Sequence, residues 1–223
     1  MPLTIRELQI RLAAFGAGVP DNYPGKNTTM AIKGFQQHVM GDSNPDGIVG
    51  PATELALQQA WDKYKPSLAD MDCDCGSCSG FGNGKFKNNY REGKPECEAY
   101  YNYEYPGISA VTVWIAVMVQ AVFPQYQFRY SSGYRCWNDN NAHGRMSTNH
   151  MGKACDLRPH YPESSDRNRI VKEVHKQFDK MQVGWSKRNV PSFEPVRISP
   201  TWIHADVRCF DRKWIESTLT TDF

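Results

Sequence analysis

The chain has 223 residues, a formal net charge of +2 and a sequence pI near 8.1. A charge this mild, without any basic run, excludes the electrostatic footprint of a nucleic-acid binder, and 40% hydrophobic content is enough to build a core. The most apolar stretch, residues 108–123, is too short to span a bilayer and contains Ser109, Thr112 and Gln120, so it predicts a buried helix and no membrane insertion.

Residues 1–63 read as three short helices. Thr4 followed by Glu7 is a capping box, Ile5, Leu8, Leu12 and Phe15 form the apolar stripe, and Gly16 ends the element. A second helix is predicted over residues 28–39 with Ala31, Ile32 and Phe35 inward. The third starts after Gly50 with Pro51 at its first position and continues through Leu55, Leu57 and Trp61. Residues 64–80 read as a linker, because Lys65-Pro66-Ser67, a cysteine cluster and glycines up to Gly84 favour loop. The second domain, residues 81–223, is expected to hold a buried helix over 109–122 and strands near 128–131 and 153–157. An amphipathic helix over 164–181 turns Ile170, Val171, Val174 and Phe178 inward, and strands near 196–198 and 202–209 follow. Helices beside a short antiparallel sheet make the fold α+β. No internal repeat is evident.

The segment 202–209 carries the strongest chemical signal. Strand side chains alternate, so Trp202, His204, Asp206 and Arg208 share one face while Ile203, Ala205, Val207 and Cys209 share the other. An imidazole, a carboxylate and a guanidinium on one strand face are costly unless they line a wet, functional cleft. His150 and Asp156, some fifty residues earlier, add a second imidazole and another carboxylate. His150, Asp156 and His204 could hold one Zn²⁺ with a coordination position left for water, whose pKa the metal lowers towards neutrality. Asp206 is the first candidate for a general base and Glu194 the second, although Asp206 could equally fix the His204 ring. His38, His143, His160 and His175 read as ordinary surface or core residues.

Seven cysteines form an odd set, which in a reducing compartment favours thiols or metal ligands over a disulfide framework. Cys73, Cys75 and Cys78, with Cys97 further on, could make a second, structural zinc site; the other reading is a free-thiol loop or a pair oxidised after release. Cys136, Cys155 and Cys209 flank the chemistry-bearing motifs, and Cys209 reads as packing. The aromatic run Tyr100, Tyr101, Tyr103 and Tyr105 is expected to pack rather than line a cleft.

Two resemblances follow from these motifs. Leu8-Gln9…Leu12…Gly16, then Thr29-x-Ala31…Phe35-Gln36, then Asp46-Gly47-Ile48-Val49-Gly50-x-x-Thr53-x-x-Ala56-Leu57 resembles the three-helix peptidoglycan-binding domain, a non-catalytic module of cell-wall hydrolases. Ser132-Gly133-Tyr134-Arg135, Ser147-Thr148-Asn149-His150…Gly152-x-Ala154-x-Asp156 and Trp202-Ile203-His204-x-Asp206-Val207-Arg208 resemble the zinc peptidases of the hedgehog-type fold. Those include D-Ala-D-Ala carboxypeptidases and the L-alanyl-D-glutamate endopeptidases of phage endolysins. The resemblance implies His150, Asp156 and His204 as ligands, with Arg135 and its neighbour Tyr134 on substrate. One departure is the family spacing S-x-H-x-x-G-x-A-x-D, which would place Asn149 at the ligand position. Asn is a poor zinc ligand beside a His, so His150 is retained and the loop before Gly152 is one residue shorter. A second departure is the lack of an acid at Ile198, Ser199, Pro200 or Thr201, just before His204.

The implied protein is a monomeric endolysin that binds bacterial peptidoglycan and cuts its stem peptide, as an L-alanyl-D-glutamate or related endopeptidase. The alternatives are a D-Ala-D-Ala carboxypeptidase and a non-catalytic wall-binding virion protein. Met1-Pro2-Leu3-Thr4 leads into a helix without a basic or apolar leader, implying synthesis in a host cytoplasm and access to the wall after holin-type release.

Overall fold

The computed structural model describes residues 2–87, 101–145, 149–185 and 187–223. The expected capping box opens α1 (Ile5–Arg11), with Thr4 N–H donating to Glu7 Oε2 at 2.7 Å and Glu7 N–H to Thr4 Oγ1 at 3.2 Å. A 3₁₀ turn over Ala13–Phe15 carries the stripe on to Gly16, whose φ of 85° ends it. Next come α2 (Lys26–His38) and α3 (Pro51–Tyr64).

A local repeat that the sequence reading missed ties these helices together. Gln9 on α1 donates Nε2–H to Asp21 Oδ1 (2.7 Å) and the Tyr23 carbonyl (3.1 Å), and its Oε1 accepts from Asn22 N–H (2.9 Å). Gln36 on α2 does the same with Asp46 Oδ1 (2.7 Å), the Ile48 carbonyl (3.1 Å) and Gly47 N–H (2.9 Å). Asn22 and Gly47 both have positive φ, 64° and 76°. The two motif glutamines are therefore buried staples that close equivalent turns. The unequal Gln-to-Asp spacings hid the repeat.

The connector is more ordered than a linker. Ser67 and Asp70 form a second capping box around a short α4 (Leu68–Met71). The Met71 carbonyl accepts from Tyr134 N–H at 2.7 Å, which docks α4 against the end of β4 (Phe128–Ser132). A Cβ on Gly133 would lie 2.4 Å from Met71 Cα and 2.6 Å from the Asp70 carbonyl oxygen, both rigid backbone atoms. Gly133→Ala is therefore expected to destabilise the protein by about 1–3 kcal/mol or more, read as a lower urea midpoint.

Beyond it, β1 (Lys85–Phe86) pairs with β2 (Tyr103–Glu104), and β3 (Ile108–Ser109) pairs with β8 (Leu219–Thr220). The central helix α5 (Ala110–Val122) is buried at every position except its two ends, as expected for a helix apolar all round. Antiparallel β4, β5 (Ala154–Pro159), β7 (Ile203–Asp206) and β6 (Ser192–Phe193) form a sheet in the order β4-β5-β7-β6. α6 (Trp137–Ala142) follows β4, and α7 (Ser164–Phe178) follows β5 with Ile170, Val171, Val174 and Phe178 buried as expected. α8 (Arg212–Glu216) precedes β8. The fold is α+β. Among the described residues no helix is long and apolar enough to cross a membrane.

Two strand expectations are corrected. Residues 196–198 form a turn closed by Ile198 N–H to the Pro195 carbonyl (2.8 Å), and the strand is Ser192–Phe193 instead, because Pro195 and Pro200 interrupt pairing. The strand expected over 202–209 stops at Asp206, where a turn leaves Cys209 half-buried rather than in the core. Tyr103 and Tyr105 do pack as expected, while Tyr100 and Cys97 lie outside the described residues.

The N-terminal helices share one apolar core with the rest. Trp61 of α3 stacks on Trp114 of α5 at 4.7 Å, and Phe15 packs on Phe178 at 6.2 Å. The Tyr64 carbonyl at the end of α3 accepts from both Tyr130 Oη (2.9 Å) and Gln120 Nε2 (3.3 Å).

Candidate metal centre

Strand register brings the chemistry together. In the β5–β7 pair Asp156 stands opposite His204 and Ala154 opposite Asp206, so both acids and the imidazole occupy one face. β4 places Ser132 beside Asp156, and the turn after it offers the Gly133 carbonyl. His150 is fully buried and its Nδ1 sits 2.7 Å from that carbonyl, which assigns the proton to Nδ1 and leaves the Nε2 lone pair facing the site. His150 Nε2 is 3.4 Å from Asp156 Oδ1, and His204 Nδ1 is 2.7 Å from the same oxygen. One ligand atom from each of the three lies within 4.8 Å of the others. His150 therefore reaches the site despite the shortened loop. Asn149 is buried too, but its carbonyl caps the following turn through Lys153 N–H at 2.8 Å. Ser147 and Thr148 lie outside the described residues.

Burial and charge compete at each of the three residues. Burial opposes the His204 cation, yet hydrogen bonds and charges from Asp156 and Asp206 outweigh it and raise its pKa to about 9. Burial would raise the Asp156 pKa, but His150 and His204 hold it far below the usual carboxylate range. At His150 burial wins and the pKa falls, which keeps the ring neutral. His150 Nε2 is buried without any hydrogen bond, an orphan that costs about 1–3 kcal/mol unless something binds it. A divalent cation would satisfy that atom and replace the proton shared by His204 and Asp156, so the residues fit the metal. Two imidazoles and one carboxylate suit zinc, and also iron(II).

The groups around the cradle take roles that the sequence left open. Asp206 is wholly buried and saturated: it accepts from Ser192 Oγ (3.0 Å), Arg208 N–H (3.0 Å) and Arg208 Nε (2.8 Å), and lies 3.4 Å from His204 Nε2. That geometry suits orienting the ring. Glu194 continues the β6–β7 pairing opposite His204, with Glu194 N–H on the His204 carbonyl at 3.1 Å, and its Oε1 accepts from Arg208 at 3.0 Å. Arg135 lies 3.6 Å from Asp156 Oδ2 and lines a cleft of about 500 Å³ with Ser132, Asp139, His143 and Arg145. Tyr134, expected on substrate beside Arg135, borders the same cleft, but it is buried and its hydroxyl is donated to the Tyr105 carbonyl at 2.8 Å, so its side chain serves packing there.

The cysteine expectation also changes. Cys73, Cys75 and Cys78 meet Cys136, with one sulfur from each within 4.8 Å of the rest. Chain spacing could not indicate Cys136, because the fourth thiol arrives through the docking of the connector on β4. Nor could it indicate the Gly133 carbonyl, since a backbone acceptor leaves no mark in side-chain identity.

Comparison with known families bears on the helical part. Residues 3–57 match the family model described as a putative peptidoglycan binding domain. The match supports peptidoglycan as a partner and association with the cell wall. No curated protein matches the chain.

Proposed function

We propose that the protein is a metal-dependent peptidoglycan hydrolase that cuts the stem peptide, as an L-alanyl-D-glutamate or related endopeptidase of the endolysin type. The observation that carries this reading is the convergence of His150 Nε2, Asp156 Oδ1 and His204 Nδ1 beside a cleft lined by Arg135, in a chain with a peptidoglycan-binding segment. His150, Asp156 and His204 hold the ion, which when bound supplies Lewis-acid polarisation and a water of lowered pKa. Asp206 keeps the His204 ring turned so that Nδ1 faces the site. Glu194, with Oε1 held by Arg208, takes the proton of the attacking water on Oε2. Arg135 anchors a carboxylate of the stem peptide such as that of D-Glu.

Two variants separate orientation from proton transfer. Asp206→Asn is expected to weaken metal affinity by about 10–100-fold, with activity restored by added zinc. Glu194→Gln is expected to lower turnover by about 10²–10⁴-fold at unchanged metal content. The reaction itself is tested by mass spectrometry of fragments released from purified sacculi. A new D-Glu amino terminus identifies the endopeptidase, loss of one alanine a carboxypeptidase, and no release by the metal-loaded protein a wall-binding protein without activity.

A further inference from the structure

We infer that Cys73, Cys75, Cys78 and Cys136 form a second, tetrathiolate site for a structural zinc ion, one that pins the connector to the metal centre of the sheet. The sulfur spacing carries the argument. Cys75 Sγ lies 3.6 Å from Cys78 Sγ and 3.5 Å from Cys136 Sγ. A tetrahedron with zinc–sulfur bonds of ~2.3 Å has sulfur–sulfur edges of ~3.8 Å, whereas a disulfide needs about 2.05 Å. Two edges at that spacing, with all four sulfurs within 4.8 Å of one another, match the first and not the second.

Backbone N–H donors face three of the sulfurs. Cys136 N–H points to Cys73 Sγ, Ser77 N–H to Cys75 Sγ and Asp139 N–H to Cys136 Sγ, each at 3.4 Å. These bonds stabilise the deprotonated sulfurs that a metal requires, and the thiol protons leave as the ion binds. Phe81, Tyr134, Met151 and Trp137 pack around the cluster, burying Cys73 and Cys136 and leaving Cys75 and Cys78 half-buried. Cys155 is buried elsewhere, its thiol on the Thr112 carbonyl, and takes no part.

The location gives the ion its role. Cys136 follows Arg135, whose N–H donates to the His150 carbonyl at 2.9 Å, and Cys73 N–H donates to the Gly80 carbonyl at 2.7 Å. An ion there cross-links the 73–80 loop to the segment that carries Gly133 and Arg135. It holds whether or not the His150 site is hydrolytic.

The test uses the full chain purified under reducing conditions without chelator, with His204→Ala to empty the first site. About one zinc per chain is expected to remain in His204→Ala. Replacement by cobalt(II) should give intense near-ultraviolet thiolate charge-transfer absorption, lost in Cys78→Ser and Cys136→Ser. If the serine variants fail to fold, the cobalt spectrum of His204→Ala alone decides. Absence of that absorption, absence of bound zinc, or a disulfide within the cluster in a non-reduced peptide map would overturn the site.

Discussion

Replacing His204 by Ala is expected to abolish clearing of outer-membrane-stripped cells while leaving sedimentation with purified sacculi unchanged. The loss should reach about three orders of magnitude or more, because the variant would forfeit the proposed ion, whose bound water has its pKa lowered to about 7. His204 supplies the only imidazole that β7 brings to the cradle, and its Nδ1 is shared with Asp156 at 2.7 Å. Without the ring, Asp156 and His150 remain as two ligands, too few for a catalytic zinc site. Residues 3–57, which match the putative peptidoglycan binding domain, lie outside the sheet, so binding is the internal control. Clearing that survives the substitution would remove the hydrolytic reading at its root, and loss of sedimentation would instead report general unfolding.

Deleting residues 1–63 is the second large effect. The truncated chain is expected to be insoluble or to unfold without a cooperative transition, measured by expression yield and circular dichroism on heating. The reason is α5, which is buried on all sides. The sheet covers one side; α1, the 3₁₀ turn and α3 cover the other, with Trp61 stacked on Trp114. Uncovering a handful of large apolar side chains, at roughly 1.5–3 kcal/mol each, removes as much as the whole stability of about 5–15 kcal/mol typical of a domain. A soluble, cooperative fragment would show that the two parts fold independently.

Much of this is legible in the amino-acid sequence because the signals are local. Thr4 and Glu7, Pro51 and the apolar run 110–122 each act within a turn or two of chain, and the helices they predict are present. His204 and Asp206 were legible as a pair because strand alternation is rigid. What escaped depended on packing between distant segments. Cys136 meets the 73–78 loop only after α4 docks on β4, and Asp206 shows its saturated carboxylate only once Ser192 and Arg208 close over it. The strand misplaced at 196–198 was an apolar pair, Val196 and Ile198, whose flanking prolines outweighed it. Sequence adjacency to Arg135 does not reveal that the Tyr134 hydroxyl is committed to the Tyr105 carbonyl.

The shared core has a bearing on how such a hydrolase would travel along its polymer. A module on a flexible leash can stay bound while the cutting end sweeps many sites. Here the helices that match the wall-binding family share one core with the sheet, so each grip would present a single stretch of polymer to the cleft. Every new cut would then demand letting go, and tightening the grip would slow turnover rather than speed it.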